Sequence, residues 1–228
     1  MSLKKYVIIV AGGSGSRMKS DIPKQFLELD GKPMLMHTIN AFYQYDSEIT
    51  IIVVLPKAQF IFWEELCAVY KYRVPHLKAP GGKTRFDSVK NGLALINEDG
   101  LVAVHDGVRP FVSIQLIDRV FTIAEISGNA VPFITPQDSV RLAYKTDNNI
   151  VERENVCLIQ TPQCFYSDLL KRAYNKPYNY DFTDDASVVT AVGEKINLVG
   201  GCYENIKITT THDLHMAEFH IKQSKEKN

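Results

Sequence analysis

The chain has 228 residues, of which 45% are hydrophobic and 23% are charged, as is typical of a globular protein with a full core. Its 26 basic and 26 acidic residues give a formal net charge of zero, so no overall field favours nucleic acid or an anionic membrane as a partner. The longest apolar run near the N-terminus, residues 6–11, is too short to span a bilayer or to act as a signal peptide, and we predict a cytoplasmic protein.

Short runs rich in Val and Ile alternate with longer amphipathic stretches along the chain. The predicted strands are residues 6–10, 50–55, 101–105, 130–134 and 197–199. The predicted helices are residues 34–45, 60–70, 86–96, 114–126 and 213–222. Because the strands are continuously apolar, we expect them to be covered on both faces, as in a mostly parallel sheet. We therefore predict one α/β domain over residues 1–228, with a doubly wound sheet that binds ligands beyond the carboxyl ends of its strands.

One segment interrupts this alternation. Residues 139–144 and 150–154 have the pattern of two polar strands joined by the turn 145–149. Because an isolated two-stranded hairpin is marginally stable in water, we predict that this arm, at about residues 137–156, packs against a second subunit of a homodimer. The alternative is a hairpin folded back on its own domain.

The first predicted strand runs directly into a glycine-rich turn, residues 11–18, with the sequence AGGSGSRM. Such a turn exposes backbone N–H groups that bind phosphate oxygens, and Arg17 adds a permanently charged forked donor. The glycine spacing matches neither a Walker A loop nor the dinucleotide-binding pattern. The turn therefore predicts a nucleotide site of another kind, or else only a tight turn.

A second cation, Lys24, follows Arg17 by seven residues, directly after Pro23, which stiffens the backbone. Two cations that flank a phosphate-binding loop suit a polyphosphate ligand. The alternative is a solvated lysine on a surface loop.

The four cysteines show no metal-binding pattern, because none forms a C-x-x-C pair and no histidine spacing typical of zinc accompanies them. We expect scattered thiols in a reducing compartment, with disulfide bonds as the alternative. These cysteines are Cys67, Cys157, Cys164 and Cys202.

At this point the sequence resembles a known superfamily. The segments GGSGSRM, at residues 12–18, and PKQFL, at 23–27, are similar to those of sugar-nucleotide transferases. Further motifs narrow the resemblance to the family of 2-C-methyl-D-erythritol 4-phosphate cytidylyltransferases of the non-mevalonate isoprenoid pathway, over residues 7–219. These motifs are GGKTRFDSV (81–89), VHDGVRP (104–110), TPQ (161–163), TDDA (183–186) and NIKIT (205–209).

The resemblance implies a Rossmann-like nucleotidyltransferase fold with a protruding dimerisation hairpin. It also implies cytidylyltransferase activity, in which the cytidylyl group of CTP moves to 2-C-methyl-D-erythritol 4-phosphate, a polyol phosphate, and pyrophosphate leaves. Ribitol 5-phosphate cytidylyltransferases share the glycine-rich loop and remain an alternative, although residues 85–89 and 183–186 favour the methylerythritol family. A catalytically silent nucleotide-binding module is a third possibility. It has no need of the five cations Arg17, Lys24, Arg109, Arg153 and Lys207.

The resemblance also implies catalytic roles. Arg17 and Lys24 match residues that stabilise the transition state of an in-line attack on the α-phosphorus. Lys207, in a predicted short strand at residues 205–210, and Arg153 match residues that position the phosphate of the acceptor. Arg153 would reach across from the neighbouring subunit. Its alternative is an ordinary salt bridge with Glu152 or Glu154.

Further residues are assigned to the two substrates by the same resemblance. Structural roles are the alternatives. Asp106 and Arg109 could pair to shape the turn, and Ser88 could bond to its own helix backbone. Of their neighbours, His105 could serve as a support, and Asp184 or Asp185 could cap a helix. The residues assigned to CTP are Ala11, Gly12, Gly13, Gly15, Gly82, Ser88, Asp106 and Gly107, and those assigned to the acceptor are Arg109, Ser139 and Thr161.

A magnesium ion is the expected cofactor. Mg²⁺ commonly bridges phosphates while keeping few protein ligands. Because the sequence contains no acidic cluster dedicated to a metal, we expect the ion to be held mostly by the triphosphate and water, and we assign no protein ligand to it.

Overall fold

A computed structural model describes residues 3–12 and 22–226 of the chain. The strands are Lys4–Val10 (β1), Glu28–Leu29 (β2), Lys32–Pro33 (β3), Thr50–Leu55 (β4), Leu77–Pro80 (β5), Gly100–Asp106 (β6), Asn129–Ile134 (β7), Val140–Ala143 (β8), Asn148–Val151 (β9), Leu158–Ile159 (β10), Gln163–Tyr166 (β11) and Leu198–Gly200 (β12). The helices are Met34–Tyr45 (α1), Phe60–Val69 (α2), Arg85–Leu93 (α3), Ile114–Ser127 (α4), Ser167–Tyr174 (α5), Asp185–Thr190 (α6) and Thr211–Glu226 (α7).

The central sheet is mostly parallel at its core. Its strands follow the order β7-β11-β6-β1-β4-β5, and β10 and β12 also pair with β7. Pairing is parallel from β6 through β1 and β4 to β5, whereas β11 runs antiparallel to both of its neighbours. The antiparallel strand β11 was not predicted, because it has only four residues and begins with the polar Gln163.

Helices cover both faces of this sheet, which confirms the doubly wound α/β prediction. Side chains of a strand point alternately to opposite faces. Val7 and Ile9 of β1 accordingly pack in a cluster with α1, α2 and α4, whereas Tyr6 and Ile8 pack in a second cluster with α3, α5 and α6. Burial on both sides explains why the central strands are apolar without interruption.

The ends of the helices follow local capping chemistry. Thr84 begins α3 with a capping box, because its hydroxyl accepts from the amide of Asp87 and the Asp87 carboxylate accepts from the amide of Thr84. Ser113 caps α4 by accepting from the amide of Leu116, without a reciprocal bond, and Gly128 directly after α4 has a φ of 87°, which suits glycine. The predicted bounds of α1 and β4 agree with the structure, whereas α3 ends three residues earlier than predicted.

The hairpin arm is present but shorter than predicted. Strands β8 and β9 pair only with each other, as a two-stranded sheet separate from the main one. The second strand ends at Val151, and Arg153 lies in the short 3-10 helix Arg153–Asn155 rather than in a strand. Leu142, Tyr144 and Ile150 of the arm are exposed.

The strand predicted at residues 205–210 is wrong. Of its amides, only that of Ile208 bonds to a neighbouring segment, at the carbonyl of Val108. The amides of Thr209 and Thr210 instead donate to the carboxylate of Asp213 in the first turn of α7. The segment therefore leads into the start of α7 and forms no strand ladder.

All four cysteines lie in the described part of the chain, and each is a free thiol. Among the described residues, no helix combines the length and the apolar character needed to cross a bilayer.

Candidate active site

A cleft of about 220 Å³ opens beyond the carboxyl ends of β1, β5 and β6. It lies where a doubly wound sheet is expected to bind ligands. Gly13, Gly15 and Arg17 lie outside the described residues. Seven other residues predicted from the sequence line this cleft: Ala11, Gly12, Lys24, Gly82, Ser88, Asp106 and Lys207.

Backbone hydrogen bonds tie the strand ends together at the base of the cleft. The amide of Ala11 donates to the carbonyl of Val54, and the amide of Gly107 donates to the carbonyl of Val10, both at 2.9 Å. A Cβ atom at Gly107 would lie 2.9 Å from the Cβ of Ala11. Glycine at this position therefore allows the ends of β1 and β6 to approach closely, and Gly107 supports the cleft from below.

Lys24 is held at the cleft by an aromatic anchor. Two residues later, Phe26 is buried and stacks on Trp63 with ring centroids 5.9 Å apart, while Phe62 meets its edge at 5.3 Å. Between them Gln25, which is fully buried, donates to the side chain of Gln59 at 2.8 Å. The apolar packing of the PKQF segment thus fixes the backbone that carries the lysine.

Gly82 and Ser88 form one compact turn at the start of α3. The hydroxyl of Ser88 accepts from the amide of Gly82 at 3.0 Å and donates to the carbonyl of Thr84 at 2.9 Å. A Cβ atom at Gly82 would lie 2.2 Å from the Cβ of Asp87, so only glycine fits there. Ser88 does bond to its own helix, as the structural alternative expected, and in doing so it shapes the wall of the cleft.

The carboxylate of Asp106 is the centre of charge in the cleft. Its oxygens lie 2.9 Å from the ammonium of Lys207, 3.4 Å from Nε of Arg109 and 3.7 Å from Nε of Arg85. Although burial acts in the opposite direction, Arg85, Lys207 and Arg109 together hold the pKa of Asp106 well below its usual range. Asp106 is therefore an anion that pairs with three cations, of which Arg85 and Lys207 line the cleft.

A second chain of contacts fixes the backbone of Asp106. Its amide donates to the hydroxyl of Thr161 at 3.1 Å, and that hydroxyl lies 3.0 Å from Nδ1 of His105. Nε2 of His105 lies 3.1 Å from the carbonyl of Arg109. A neutral imidazole protonated at Nε2 satisfies every contact, and burial lowers the pKa of His105 to about 4. The hydroxyl of Thr161 therefore supports Asp106 from within the protein.

Arg109 connects the end of β6 to the segment that carries Lys207. Besides its contact with Asp106, its guanidinium donates to the carbonyl of Asn205 at 2.7 Å. The side-chain amide of Asn205 donates in turn to the carbonyl of Thr161 at 2.7 Å. Arg109 also lines a second hollow of about 220 Å³, with Lys207 and apolar residues such as Ile206. Arg109 and Asp106 thus do pair, and the pair places Lys207 at the border between the two hollows.

Arg85 and Asp185 are contributors to the site that the sequence did not identify. The guanidinium of Arg85 bonds to both carboxylate oxygens of Asp185, at 3.0 and 2.6 Å. Asp184, by contrast, caps α6 by accepting from the amide of Ser187 at 2.8 Å. The sequence could have identified Arg85 by its position three residues before Ser88, because this spacing puts both residues on the first turns of a helix that faces the cleft.

Ser139 and Arg153 lie apart from the cleft. Both line a groove of about 200 Å³ along the hairpin arm. Arg153 donates to the carbonyl of Gln137 at 2.9 Å and pairs with Glu154 at 3.2 Å, as the salt-bridge alternative expected. Within one chain, the structure does not bring these two residues to the Asp106 cleft.

The described residues include no group of three or more His, Cys, Asp or Glu side chains arranged to hold a metal. In the cleft itself, the carboxylate of Asp106 is engaged by cations. The donor set of the cleft therefore suits an anionic ligand better than a metal bound by the protein alone.

Comparison with known proteins identifies the family. The family profile described as 2-C-methyl-D-erythritol 4-phosphate cytidylyltransferase matches residues 5–223. Two curated proteins of that name, from Bacteroides thetaiotaomicron and Phocaeicola vulgatus, are each 51% identical to this chain; the alignments cover 93% and 95% of it, and 97% and 99% of the relatives. These matches favour the methylerythritol family over the ribitol alternative and over a silent module.

Solved structures agree with this result. The 2-C-methyl-D-erythritol 4-phosphate cytidylyltransferase of Thermus thermophilus superposes with a TM-score of 0.77 at 32% identity, covering 97% of this chain and 100% of that one. The 4-diphosphocytidyl-2C-methyl-D-erythritol synthase of Anaerococcus prevotii superposes with a TM-score of 0.82 at 28% identity, covering 96% and 99%. The chain belongs to the 2-C-methyl-D-erythritol 4-phosphate cytidylyltransferase family.

Proposed function

We propose that the Asp106 cleft is where this chain joins the cytidylyl group of CTP to 2-C-methyl-D-erythritol 4-phosphate. A phosphate oxygen of the acceptor forms a bond to the α-phosphorus of CTP. The bond from that phosphorus to the oxygen bridging to the β-phosphate breaks, giving 4-diphosphocytidyl-2-C-methyl-D-erythritol and pyrophosphate. The observation that carries this proposal is the convergence of Lys24, Arg85 and Lys207 with Asp106 on one cleft at the strand ends.

The chemistry calls for positive charge rather than for a base. The attacking phosphate oxygen is already an anion, so no proton has to be removed before attack. Two anions must instead be brought together while charge builds on the α-phosphate and on the departing oxygen. Fixed cations in a partly buried site lower such a barrier, because they need no reorganisation when the charge develops.

CTP lies along the cleft from the α3 turn to the end of β1 in this proposal. The cytosine faces the turn of Gly82 and Ser88, which lines the cleft. The triphosphate follows the backbone of Ala11 and Gly12 toward Gly13 and Gly15. Lys24 stands beside the reacting phosphate and, with Arg17, stabilises the transition state. Asp106 holds Lys207 and accepts from a substrate hydroxyl, above Gly107.

The acceptor is proposed to bind on the side of the cleft that Lys207 and Arg109 share with the second hollow. Lys207 is 43% exposed, so its ammonium has room to contact an acceptor phosphate while it stays bonded to Asp106. Thr161 acts on the acceptor indirectly in this proposal, by fixing the backbone of Asp106. Ser139 and Arg153 complete the acceptor site from the arm of a second subunit, because in their own chain they line a separate groove.

Cytidylyltransferases generally use a divalent cation, and we propose Mg²⁺ for this one. Mg²⁺ favours oxygen ligands and keeps several waters, and when bound it would offset charge on the phosphates of CTP. The described residues offer no acidic cluster to hold it. The triphosphate itself is therefore the proposed source of most ligands.

A cytoplasmic location stays a prediction from the sequence.

The reaction is tested by pyrophosphate release. Purified protein with CTP and Mg²⁺ should release pyrophosphate when 2-C-methyl-D-erythritol 4-phosphate is added, and should not do so with ATP or GTP. Ribitol 5-phosphate serves as the matched acceptor control. Turnover only with ribitol 5-phosphate, or CTP binding without turnover on any acceptor, would contradict the proposal.

A further inference from the structure

Three helix ends meet beside Asp106, where Arg85 lines the cleft and its two partners lie buried behind it. They are the first residue of α3, Arg85; the first residue of α6, Asp185; and the last residue of α5, Tyr174. The hydroxyl of Tyr174 donates to Asp185 at 2.6 Å. Asp185 binds Arg85 through both of its oxygens, and Arg85 reaches Asp106. These residues form a continuous polar chain from the core to the cleft.

Burial makes this chain costly unless each member is satisfied. Asp185 is 0% exposed and Tyr174 is 1% exposed. A buried carboxylate without partners is strongly destabilising, and here Arg85 and the tyrosine hydroxyl supply both charge and hydrogen bonds. Burial and the neighbouring Asp185 both raise the pKa of Tyr174, so the phenol keeps its proton and remains a donor.

A second element holds Asp185 in place. The side chain of Gln163, which is 1% exposed, donates to the carboxylate of Asp184 at 2.9 Å and accepts from the amide of Ala186 at 2.8 Å. It therefore clamps the turn on both sides of Asp185. The motifs at residues 161–163 and 183–186 are thus packed against each other, and one result is a fixed carboxylate facing Arg85.

The arrangement divides the charge of Arg85 between two carboxylates. Asp185 takes both terminal nitrogens of the guanidinium, and only Nε approaches Asp106, at 3.7 Å. Lys207 holds a closer contact with the same carboxylate, at 2.9 Å. Without Asp185, the whole charge of Arg85 would be balanced by Asp106, and Arg85 would compete with Lys207 for it.

We propose that Asp185 and Tyr174 are positioning residues for cytidylyl transfer, acting through Arg85 to keep Asp106 available to Lys207. This inference rests on the proposed role of Asp106 and Lys207 in the reaction. Neither Asp185 nor Tyr174 lines the cleft in the described part of the chain, so their effect must pass through the guanidinium. The effect should fall on the rate of transfer rather than on the binding of CTP.

The test is a double-mutant cycle with Tyr174→Phe and Asp185→Asn. Tyr174→Phe keeps the ring that stacks on Phe86 and removes only the hydroxyl, and we expect kcat to fall about three- to tenfold, since one hydrogen bond to a charged group is lost. Asp185→Asn should lower kcat on the order of 100-fold, because it unbalances a buried ion pair. The KM for CTP should change by less than about twofold in each.

The cycle separates positioning from ordinary packing. If the hydroxyl acts only through Asp185, adding Tyr174→Phe to Asp185→Asn should cost nothing further. Tyr166→Phe is the matched control, because the hydroxyl of Tyr166 donates to the backbone carbonyl of Glu125 at 2.8 Å rather than to Asp185. The kcat of this variant should equal that of the wild type. Additive losses, or a raised KM for CTP with unchanged kcat, would overturn the proposal.

Two further measurements keep the test decisive. If Asp185→Asn does not fold, the cycle pairs Tyr174→Phe with Arg85→Lys instead. In the Arg85→Lys background, removing the hydroxyl of Tyr174 should again have no further effect on kcat. If the wild type itself shows no turnover, the proposed function fails, and the position of Arg85 is followed without turnover by the NMR signal of its Nε–H group. That signal should shift in Tyr174→Phe and not in Tyr166→Phe; equal spectra would show that the chain does not hold Arg85.

Discussion

The Asp106 cleft and the hairpin groove both carry cations predicted to bind the acceptor, yet they are built in opposite ways. In the cleft, Asp106 is 7% exposed and is contacted by three cations from separate segments of the chain. In the groove, Arg153 is 53% exposed, and its acidic partner, Glu154, is 75% exposed and adjacent in sequence. The cleft is organised within one chain, whereas the groove is held by local contacts only.

The energetics of the two regions differ accordingly. An exposed ion pair is worth about 0–1 kcal/mol, so Arg153 can exchange Glu154 for another anion at little cost. Removing one partner from a buried network costs about 3–5 kcal/mol, because a charge is left without compensation. The cleft therefore holds fixed charge, whereas under the proposal of a shared site the groove supplies a cation that can exchange Glu154 for a ligand.

Lys207→Ala gives the largest effect expected from this comparison. It removes the cation that Asp106 holds toward the acceptor, and we expect kcat to fall on the order of 100- to 1,000-fold, as when one preorganised donor is lost. Steady-state pyrophosphate release measures this loss. Lys195→Ala, at an exposed lysine outside the cleft, is the control. A loss below about threefold would show that the cleft does not supply fixed charge to the transition state.

Arg153→Ala tests the other half of the comparison. If the arm completes the site of a neighbouring subunit, this substitution should lower kcat/KM for the acceptor about 10- to 100-fold while the KM for CTP stays constant. The matched control is Arg172→Ala, which breaks a similarly exposed pair with Glu194. A wild-type kcat/KM for Arg153→Ala would remove the arm from the reaction.

Mixing the two impaired variants, Lys207→Ala and Arg153→Ala, shows which chain supplies Arg153. In a homodimer with shared sites, a mixed dimer of Lys207→Ala and Arg153→Ala has one site with both changes and one site with neither. Random reassembly should then restore activity at roughly a quarter of all sites. If each chain supplies its own Arg153, every site stays defective and mixing restores nothing. A monomeric mass of 25.8 kDa in light scattering of fully active protein would also contradict sharing.

Most of the fold could be predicted from the sequence, because buried parallel strands and amphipathic helices leave strong patterns. Strands β1, β4, β6 and β7 and helices α1 and α4 are of this kind. The four-residue β11 was missed, since its placement depends on pairing with two distant strands. Residues 205–210 were wrongly predicted as a short strand, because the amides of Thr209 and Thr210 bond to Asp213 at the start of a helix.

The site was predicted less evenly than the fold. The structure places Lys24, Gly82, Asp106 and Lys207, which the resemblance assigned to the site, in one cleft. The resemblance assigned Thr161 to the acceptor, whereas the hydroxyl is bonded within the protein to His105 and Asp106. Contacts of this type join residues more than 50 positions apart, and no local pattern in the sequence reports them.

The smallest effect we expect is a pH dependence of the free energy of unfolding, caused by the buried His105 behind the Asp106 cleft. Burial lowers the pKa of His105 to about 4 from its ordinary value of 6.5, so between these values the unfolded chain binds a proton that the folded chain does not. The free energy of unfolding should therefore fall as pH drops through this window, by up to about 1.4 kcal/mol per pH unit from this residue. Urea unfolding at several pH values measures the slope, and His105→Asn should flatten it. His212→Asn, at an exposed position on α7, should leave it unchanged. An identical slope in His105→Asn would mean that the support behind Asp106 is as open to solvent as the hairpin groove, and the contrast between the two regions would be lost.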